Sequence, residues 1–369
     1  METTATELPS FVIPYTSSKT PVITSAPLTS SSISVVSSMD SISSVISSIP
    51  PVLVSAAPAE SSSLDTSSMA PSSIAEPSYA PPLPDTSSTA TTKSYTTSSP
   101  QASSNTWFPI GVAWDAFSMI NGQPQCKTES QVASEFEIIK EYEVVRTYGI
   151  GCSQVDLVVQ HAVANGQKLM LGFYLPDETP SDAVEAFSSA IEEYAKSNWD
   201  VVIAVTVENE RASDHQLTTS AIVDAINQTR EGLRAVHYDG PVGAVETAAF
   251  TISDPTICDN SDLAFVNIHP FFDENTEAPN SGQFVKDQVA LVEKVCPSKR
   301  VIVMESGWPY QGQAHGKAIP SRDNQKVAIE SLRSSFSQDL ILLSPFDSTW
   351  KMETAETFYA ERHWGFLST

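Results

Sequence analysis

Two periodicities alternate along the chain from Phe108 onward. Short apolar runs at 108–114, 144–148, 168–174, 201–207, 241–245, 263–268, 300–304 and 340–343 are rich in Val, Ile, Leu and aromatics. Each is too short for a buried helix and predicts a strand. Between them lie amphipathic stretches, for instance 181–196, 218–236, 282–295 and 324–336. Their apolar residues recur at helical spacing, as in Ile222, Ile226, Leu233 and Val236. Gly166 and Gly240 stand where two such helices would stop before the next strand. Strands that are apolar throughout belong to a parallel sheet covered on both faces. A doubly wound sheet would also satisfy this pattern. Eight strands alternating with helices over 107–369 fit a closed (β/α)8 TIM barrel better, and that α/β fold is the expectation.

Composition changes the picture on the N-terminal side. All 14 Gly, 6 Trp, 4 Cys and 6 His lie from Trp107 onward, while residues 1–104 are dominated by Ser, Thr and Pro. So few large apolar side chains do not offset the entropy of ordering a backbone, and residues 1–106 are expected to be disordered. Ser/Thr-rich sequence with interspersed Pro is also the composition of O-glycosylated stalks, and the lack of Gly favours a stalk over a flexible linker. With seven acidic residues against Lys19 and Lys93, this segment carries −5 of the formal net charge of −24, leaving −19 for the 107–369 domain. Phosphate contacts need clustered Lys and Arg, so nucleic acid is not an expected partner, whereas neutral polysaccharide is compatible. No apolar run approaches the length of a membrane helix. Residues 1–18 show neither the basic nor the apolar region of a signal peptide. The stalk, the even Cys count and the acceptor triplet at Asn227 nevertheless fit the secretory route. A secreted protein whose natural start lies upstream reconciles these observations.

Candidate chemistry gathers at the carboxyl ends of the predicted strands, where a barrel carries its site. The second strand ends in Arg146-Thr147-Tyr148-Gly149 and the fourth in Glu208-Asn209-Glu210. The sixth ends in Asn267-Ile268-His269-Pro270-Phe271-Phe272, and the seventh in Glu305-Ser306-Gly307-Trp308-Pro309. A lone Glu at a strand end is commonly a solvated loop residue. Two facing across one mouth, beside Asn, His and Trp, suit cleavage of a glycosidic bond. One is protonated to donate to the leaving oxygen, and the other is ionised to attack the anomeric carbon. Their surroundings must hold the two pKa values apart. Asn209 is placed to bind a sugar 2-hydroxyl, and Trp308 and Trp350 offer flat faces for a pyranose, with core packing as the plain alternative. His269 and Arg146 are read either as groups that orient a carboxylate or as structural partners. The His and Cys residues show no metal-ligand spacing and no Gly-rich phosphate loop precedes a helix, so neither metal nor cofactor is expected. The four Cys allow three pairings. Cys126–Cys152 is favoured because these residues follow neighbouring strands. Cys258–Cys296 would tie the segment after the fifth strand to the helix before the seventh.

Residues 108–366 resemble glycoside hydrolase family 17, in its fungal cell-wall branch of soluble cell-wall and mannoprotein β-1,3-glucanase-like proteins. The matching pieces are VVRTYGIGC at 144–152, KLMLGFY at 168–174, VENE at 207–210, NIHPFFDEN at 267–275, VIVMESGWPYQG at 301–312, Trp350-Lys351 and HWGF at 363–366. The resemblance implies a (β/α)8 fold, retaining hydrolysis or transglycosylation of β-1,3-glucan, and location in the wall. It maps the acid/base onto Glu210 and the nucleophile onto Glu305, with substrate contacts at Arg146, Tyr148, Tyr174, Asn209, His269, Phe271, Trp308, Trp350 and Lys351. A retaining pair implies carboxyl groups roughly 5–5.5 Å apart. The family usually reads Val-Gly-Asn-Glu on the fourth strand, whereas this chain has Glu208 in place of Gly. A carboxylate there would narrow the site, raise the pKa of Glu210 by like-charge repulsion, or point outward between strand and helix. A second departure is the run 345–348 before Trp350, where an Asn-containing run is more usual. The expected function is a monomeric retaining β-1,3-glucan hydrolase of the fungal wall. A β-glucan transglucosylase and a weakly active, glucan-binding wall mannoprotein are the alternatives.

Overall fold

A computed structural model describes residues 108–368, and the expected stalk at 1–106 lies outside the described residues. Eight parallel strands close into a barrel: β1 (Gly111–Ala113), β4 (Val144–Arg146), β5 (Lys168–Phe173), β6 (Val202–Asn209), β7 (Val242–Thr247), β8 (Ala264–Asn267), β9 (Val301–Ser306) and β10 (Leu340–Leu342). Each neighbours its successor and β10 pairs with β1, as the alternating pattern predicts for the TIM barrel. The crossovers are α1 (Glu129–Ile138), α2 (Gln154–Asn165), α3 (Pro180–Ala195), α4 (Thr219–Ala235), the short pair α5 (Ala248–Ser253) and α6 (Thr256–Asn260), α7 (Ser281–Val295) and α8 (Arg322–Ser335).

The unbroken apolar character of the strands follows from two separate cores. Val144, Met170, Ala204, Ile302, Met304 and Ile341 meet in a cluster that no helix residue joins, which is the filled barrel interior. Their neighbours Val145, Leu169, Leu171, Val205, Val303 and Leu342 pack outward with helix residues such as Val158, Phe187 and Ile226. Alternate residues of one strand thus enter different cores, and neither face is left polar. Local sequence sets the helix ends. Thr128 and Thr179 form capping boxes with Gln131 and Asp182, and Pro180 occupies the first turn of α3. Gly166 caps α2 at φ 73°, as its position suggested.

Gly240 does not stop the preceding helix. Its helix ends at Ala235, and His237 takes the left-handed turn at φ 69°. A Cβ on Gly240 would instead lie 2.4 Å from the Tyr238 ring, so glycine is there to clear a buried aromatic. The hairpin β2 (Phe117–Ile120) and β3 (Gln123–Cys126) has no counterpart among the expected strands. Asn121 (φ 52°) and Gly122 (φ 75°) make its turn, the two-residue kind with both central residues left-handed.

Disulfides join Cys126 to Cys152 and Cys258 to Cys296, with Cα separations of 5.4 and 6.4 Å. Asn227 is exposed on α4, but Thr229 of its acceptor triplet is buried and Arg230 donates to Asn227 Oδ1 at 3.0 Å. Among the described residues, no helix is long and apolar enough to cross a membrane.

Candidate active site

Two bulges aim the strand-end carboxylates. Along β6 and β7, Val207 opposes Ala244 but Asn209 opposes Val245, so Glu208 is the extra residue. Along β8 and β9, Val266 opposes Val303 but Asn267 opposes Glu305, so Met304 is extra. An inserted residue breaks the two-residue alternation and turns the following side chains to a new direction. Strict alternation from outward-packed Val303 would send Glu305 outward. After the bulge it meets Arg146, which follows inward-packed Val144 by two residues. Glu208 takes the bulge at φ 62° and Glu210 follows at φ 60°. The left-handed conformation costs a non-glycine residue on the order of 1–2 kcal/mol, which explains why glycine is the easier residue at position 208.

Glu305 is buried and its carboxylate is saturated on one oxygen. Oε1 accepts from Arg146 at 2.8 Å and from the Tyr148 hydroxyl at 2.7 Å. Oε2 lies 3.3 Å from His269 Nε2. Burial by itself would raise this pKa, but the Arg146 guanidinium and His269 outweigh it and hold the carboxyl down at about 2. Glu210 moves the other way. Burial first, then the Glu305 charge, raise its pKa, against His269 and a bond from Asn267 Nδ2 to Oε1 at 2.8 Å. Among the described residues, Glu210 Oε2 has no hydrogen-bond partner. One network joins the two carboxyls: Arg146 also donates to Asn209 Oδ1 at 2.7 Å, and Asn267 donates to that same atom at 3.1 Å. Because Asn209 Oδ1 accepts twice, its amide nitrogen is left to donate elsewhere. The site therefore holds an ionised carboxylate beside one that retains its proton to higher pH.

The other expected contacts divide into two groups. Tyr148, Tyr174, His269, Trp350 and Lys351 remain partly accessible around the strand ends. Trp350 donates to Asp115 just beyond β1 at 3.0 Å, and Arg211 lies 4.0 Å over the Tyr174 ring. Lys351 pairs with Glu361 at 3.0 Å; burial pulls its pKa down, yet Glu361 and Glu305 raise it on balance. Phe271 and Trp308 are at 0% exposure and present no face to a sugar. They pack with Ala278, Ala318, Ala328, Ala360 and Trp364, and Trp308 donates to the Ile319 carbonyl at 3.1 Å. That cluster supports His269, whose ring stands 5.1 Å from Trp364.

Asn267, Glu246 and Trp364 belong to this neighbourhood but were not singled out as site residues in the sequence. Asn267 stands at the end of the sixth barrel strand, in the same run as His269, and that position was its only signal. Glu208 does not enter the opening: it is buried, with Oε2 bonded to the Arg211 N–H at 2.8 Å. Among the described residues, no cluster of His, Cys, Asp and Glu has the arrangement to hold a metal.

The chain is 37% identical over 262 residues to a probable family 17 glucosidase of Saccharomyces cerevisiae, covering 71% of this chain. It is 34% identical over 259 residues to a cell surface mannoprotein of Candida albicans, covering 70% of this chain. Each match spans 66% of the relative, less than two thirds of its length. Among solved structures, a β-1,3-glucanosyltransferase of Rhizomucor miehei superposes with a TM-score of 0.55 at 19% identity, covering 69% of this chain and 91% of that one. A plant β-glucan endohydrolase superposes at 0.51 with 16% identity, over 69% and 95% respectively. Both likenesses are of fold. Residues 111–365 match the BtgE/BtgC glycoside hydrolase domain, and the chain belongs to that family.

Proposed function

We propose that the protein is a retaining glycosidase of the fungal cell wall that cleaves β-1,3-glucan by double displacement. The observation that carries this is the opposite tuning of two carboxyls, Glu305 buried and Glu210 half-buried, within one hydrogen-bonded network: Arg146 and His269 favour the ionised form of Glu305, while Glu210 is pushed toward its protonated form. A nucleophile needs the first state and a general acid the second.

The bonding suggests which oxygens act. Glu305 Oε1 is taken by Arg146 and Tyr148, so Oε2 is the atom for the anomeric carbon. Glu210 Oε2 carries the proton for the leaving oxygen while Oε1 stays on Asn267. The C–O bond to the leaving sugar breaks as the Glu305–sugar ester forms. Glu210, now ionised, takes a proton from water as that water attacks the ester, and Glu305 leaves as a carboxylate. The Asn209 amide nitrogen is positioned to donate to the sugar 2-hydroxyl. Tyr174, Trp350 and Lys351 are the partly exposed groups for neighbouring sugar units. Family membership and the resemblance of the wall-protein motifs support the substrate and the location.

Laminari-oligosaccharides incubated with the purified protein should yield shorter products whose new reducing end is first β. Longer products would make it a transglucosylase, and unchanged oligosaccharide would overturn the reading. Glu305→Ala should lose turnover on every natural substrate. Glu210→Ala should still be glycosylated by an activated aryl β-glucoside and then stall, with added azide restoring turnover as a β-glucosyl azide. Azide rescue at Glu305 instead would reverse the two roles.

A further inference from the structure

The turn after Glu210 is held by two carboxyls that the proposed reaction leaves idle. Glu208, at 2% exposure, accepts the Arg211 N–H through Oε2 at 2.8 Å. Glu246, at 1% exposure near the end of β7, accepts the Ala212 N–H through Oε1 at 2.8 Å and the Ser213 N–H through Oε2 at 3.1 Å. Three consecutive amides immediately after the acid/base are thus capped by side chains from adjacent strands. The backbone of Glu210 is itself hydrogen-bonded at both its N–H and its carbonyl. Its N–H donates to the Val245 carbonyl at 2.8 Å, and its own carbonyl accepts from the Asp214 N–H and Ser213 Oγ, each at 2.9 Å. Both Glu208 and Glu210 hold left-handed backbone, which a glutamate keeps only where its surroundings over-determine it.

We infer that Glu208 and Glu246 are positioning residues for Glu210: by capping the amides of residues 211–213 they fix the backbone that aims the proton donor at the leaving oxygen. The inference rests on the glycosidase reading above and deepens it. The charge balance agrees with this role. Burial, then the Glu246 charge, push Glu208 well above the usual carboxyl range, with Glu210 adding to the rise and the Arg211 amide and Arg146 opposing it. Burial raises Glu246 to about 7 against the amides of Ala212 and Ser213, and the Glu210 charge adds to that rise. The buried Glu208 Oε1 has no partner among the described residues and is the atom to carry a proton. A protonated Glu208 caps Arg211 through one carbonyl-like oxygen, a task an amide side chain can perform.

The test separates acid positioning from general support of the fold. The full chain and its Glu208→Ala, Glu208→Gln and Glu246→Ala variants are assayed on a laminari-oligosaccharide, whose leaving sugar needs a proton, and on a dinitrophenyl β-glucoside, whose leaving group does not. Both Ala variants should lose roughly tenfold to a hundredfold in kcat on the oligosaccharide with little change in KM. The first-turnover burst of dinitrophenolate should stay within about twofold of the parent. Glu208→Gln should recover the oligosaccharide activity. Equal losses on both substrates, no loss on either, or Gln behaving as Ala would overturn the positioning role while the parent remains active. A parent protein inactive on both substrates would instead overturn the glycosidase reading, and this inference with it.

Discussion

Arg146 illustrates how much of the chemistry depends on one buried cation. At 1% exposure it spans Glu305, the Met304 carbonyl and Asn209, so it both favours the ionised form of the proposed nucleophile and holds the amide beside the proposed acid. A nearby cation lowers a carboxyl pKa, and its removal must raise it. In the proposed reaction Glu305 has to be ionised to attack, so in Arg146→Gln the acidic limb of the kcat/KM profile should move to higher pH, with activity lost over a range where the parent still works. An unmoved acidic limb would show that Arg146 does not set the ionisation of Glu305, leaving that to His269 and Lys351. At this scale the sequence was informative about residue type and strand end, and less so about direction. Glu305, Arg146 and Asn209 were legible because charged and amide groups ended otherwise apolar strands. Phe271 and Trp308, the latter with core packing as its stated alternative, are both buried, whereas in one dimension an aromatic at a strand end faces the opening or the core equally well.

Between residue and barrel, the elements explain where that ambiguity came from. Strand periodicity identified all eight barrel strands, since two buried faces leave an unmistakable apolar run. Periodicity is blind to bulges, because one inserted residue in β6 or β9 leaves composition unchanged while re-aiming the side chains that follow. The β2–β3 hairpin did carry a signal, Asn121-Gly122 between two short segments, but β3 is exposed and polar and β2 is only half-buried, so neither makes the long apolar run that marked the others. Glycines needed the same care. Gly166 closes α2 in a left-handed conformation with nothing within 4 Å of a would-be Cβ, so Gly166→Ala adds strain and no clash. It should destabilise the protein by about 1 kcal/mol in denaturant melts. Turnover should be unchanged, because α2 ends just before β5 begins, away from the strand ends that carry the site. A loss of activity at constant stability would contradict that separation.

The whole barrel has two ends with different duties, and each disulfide serves one of them. Cys126 closes the β2–β3 hairpin and Cys152 lies in the loop after β4, four residues beyond Tyr148, which bonds Glu305. Cys258 lies in α6 ahead of β8, and Cys296 caps α7 ahead of β9, so this bridge sits where strands begin. Closing segments of 26 and 38 residues in sequence separation removes unfolded-chain entropy worth roughly 3–4 kcal/mol in each case. Replacing either pair with Ser should therefore lower the melting temperature by a similar amount, roughly 10 °C for a domain of this size. Their effects on activity should differ. Without Cys258 and Cys296 the folded protein should keep its kcat and KM at 25 °C, because nothing near Glu210 or Glu305 depends on that bridge. Without Cys126 and Cys152 the loop carrying Tyr148 loses its tether, and oligosaccharide KM should rise even where the protein remains fully folded. Equal kinetic effects from the two double variants, measured well below both melting transitions, would show that the ends of the barrel are not independent.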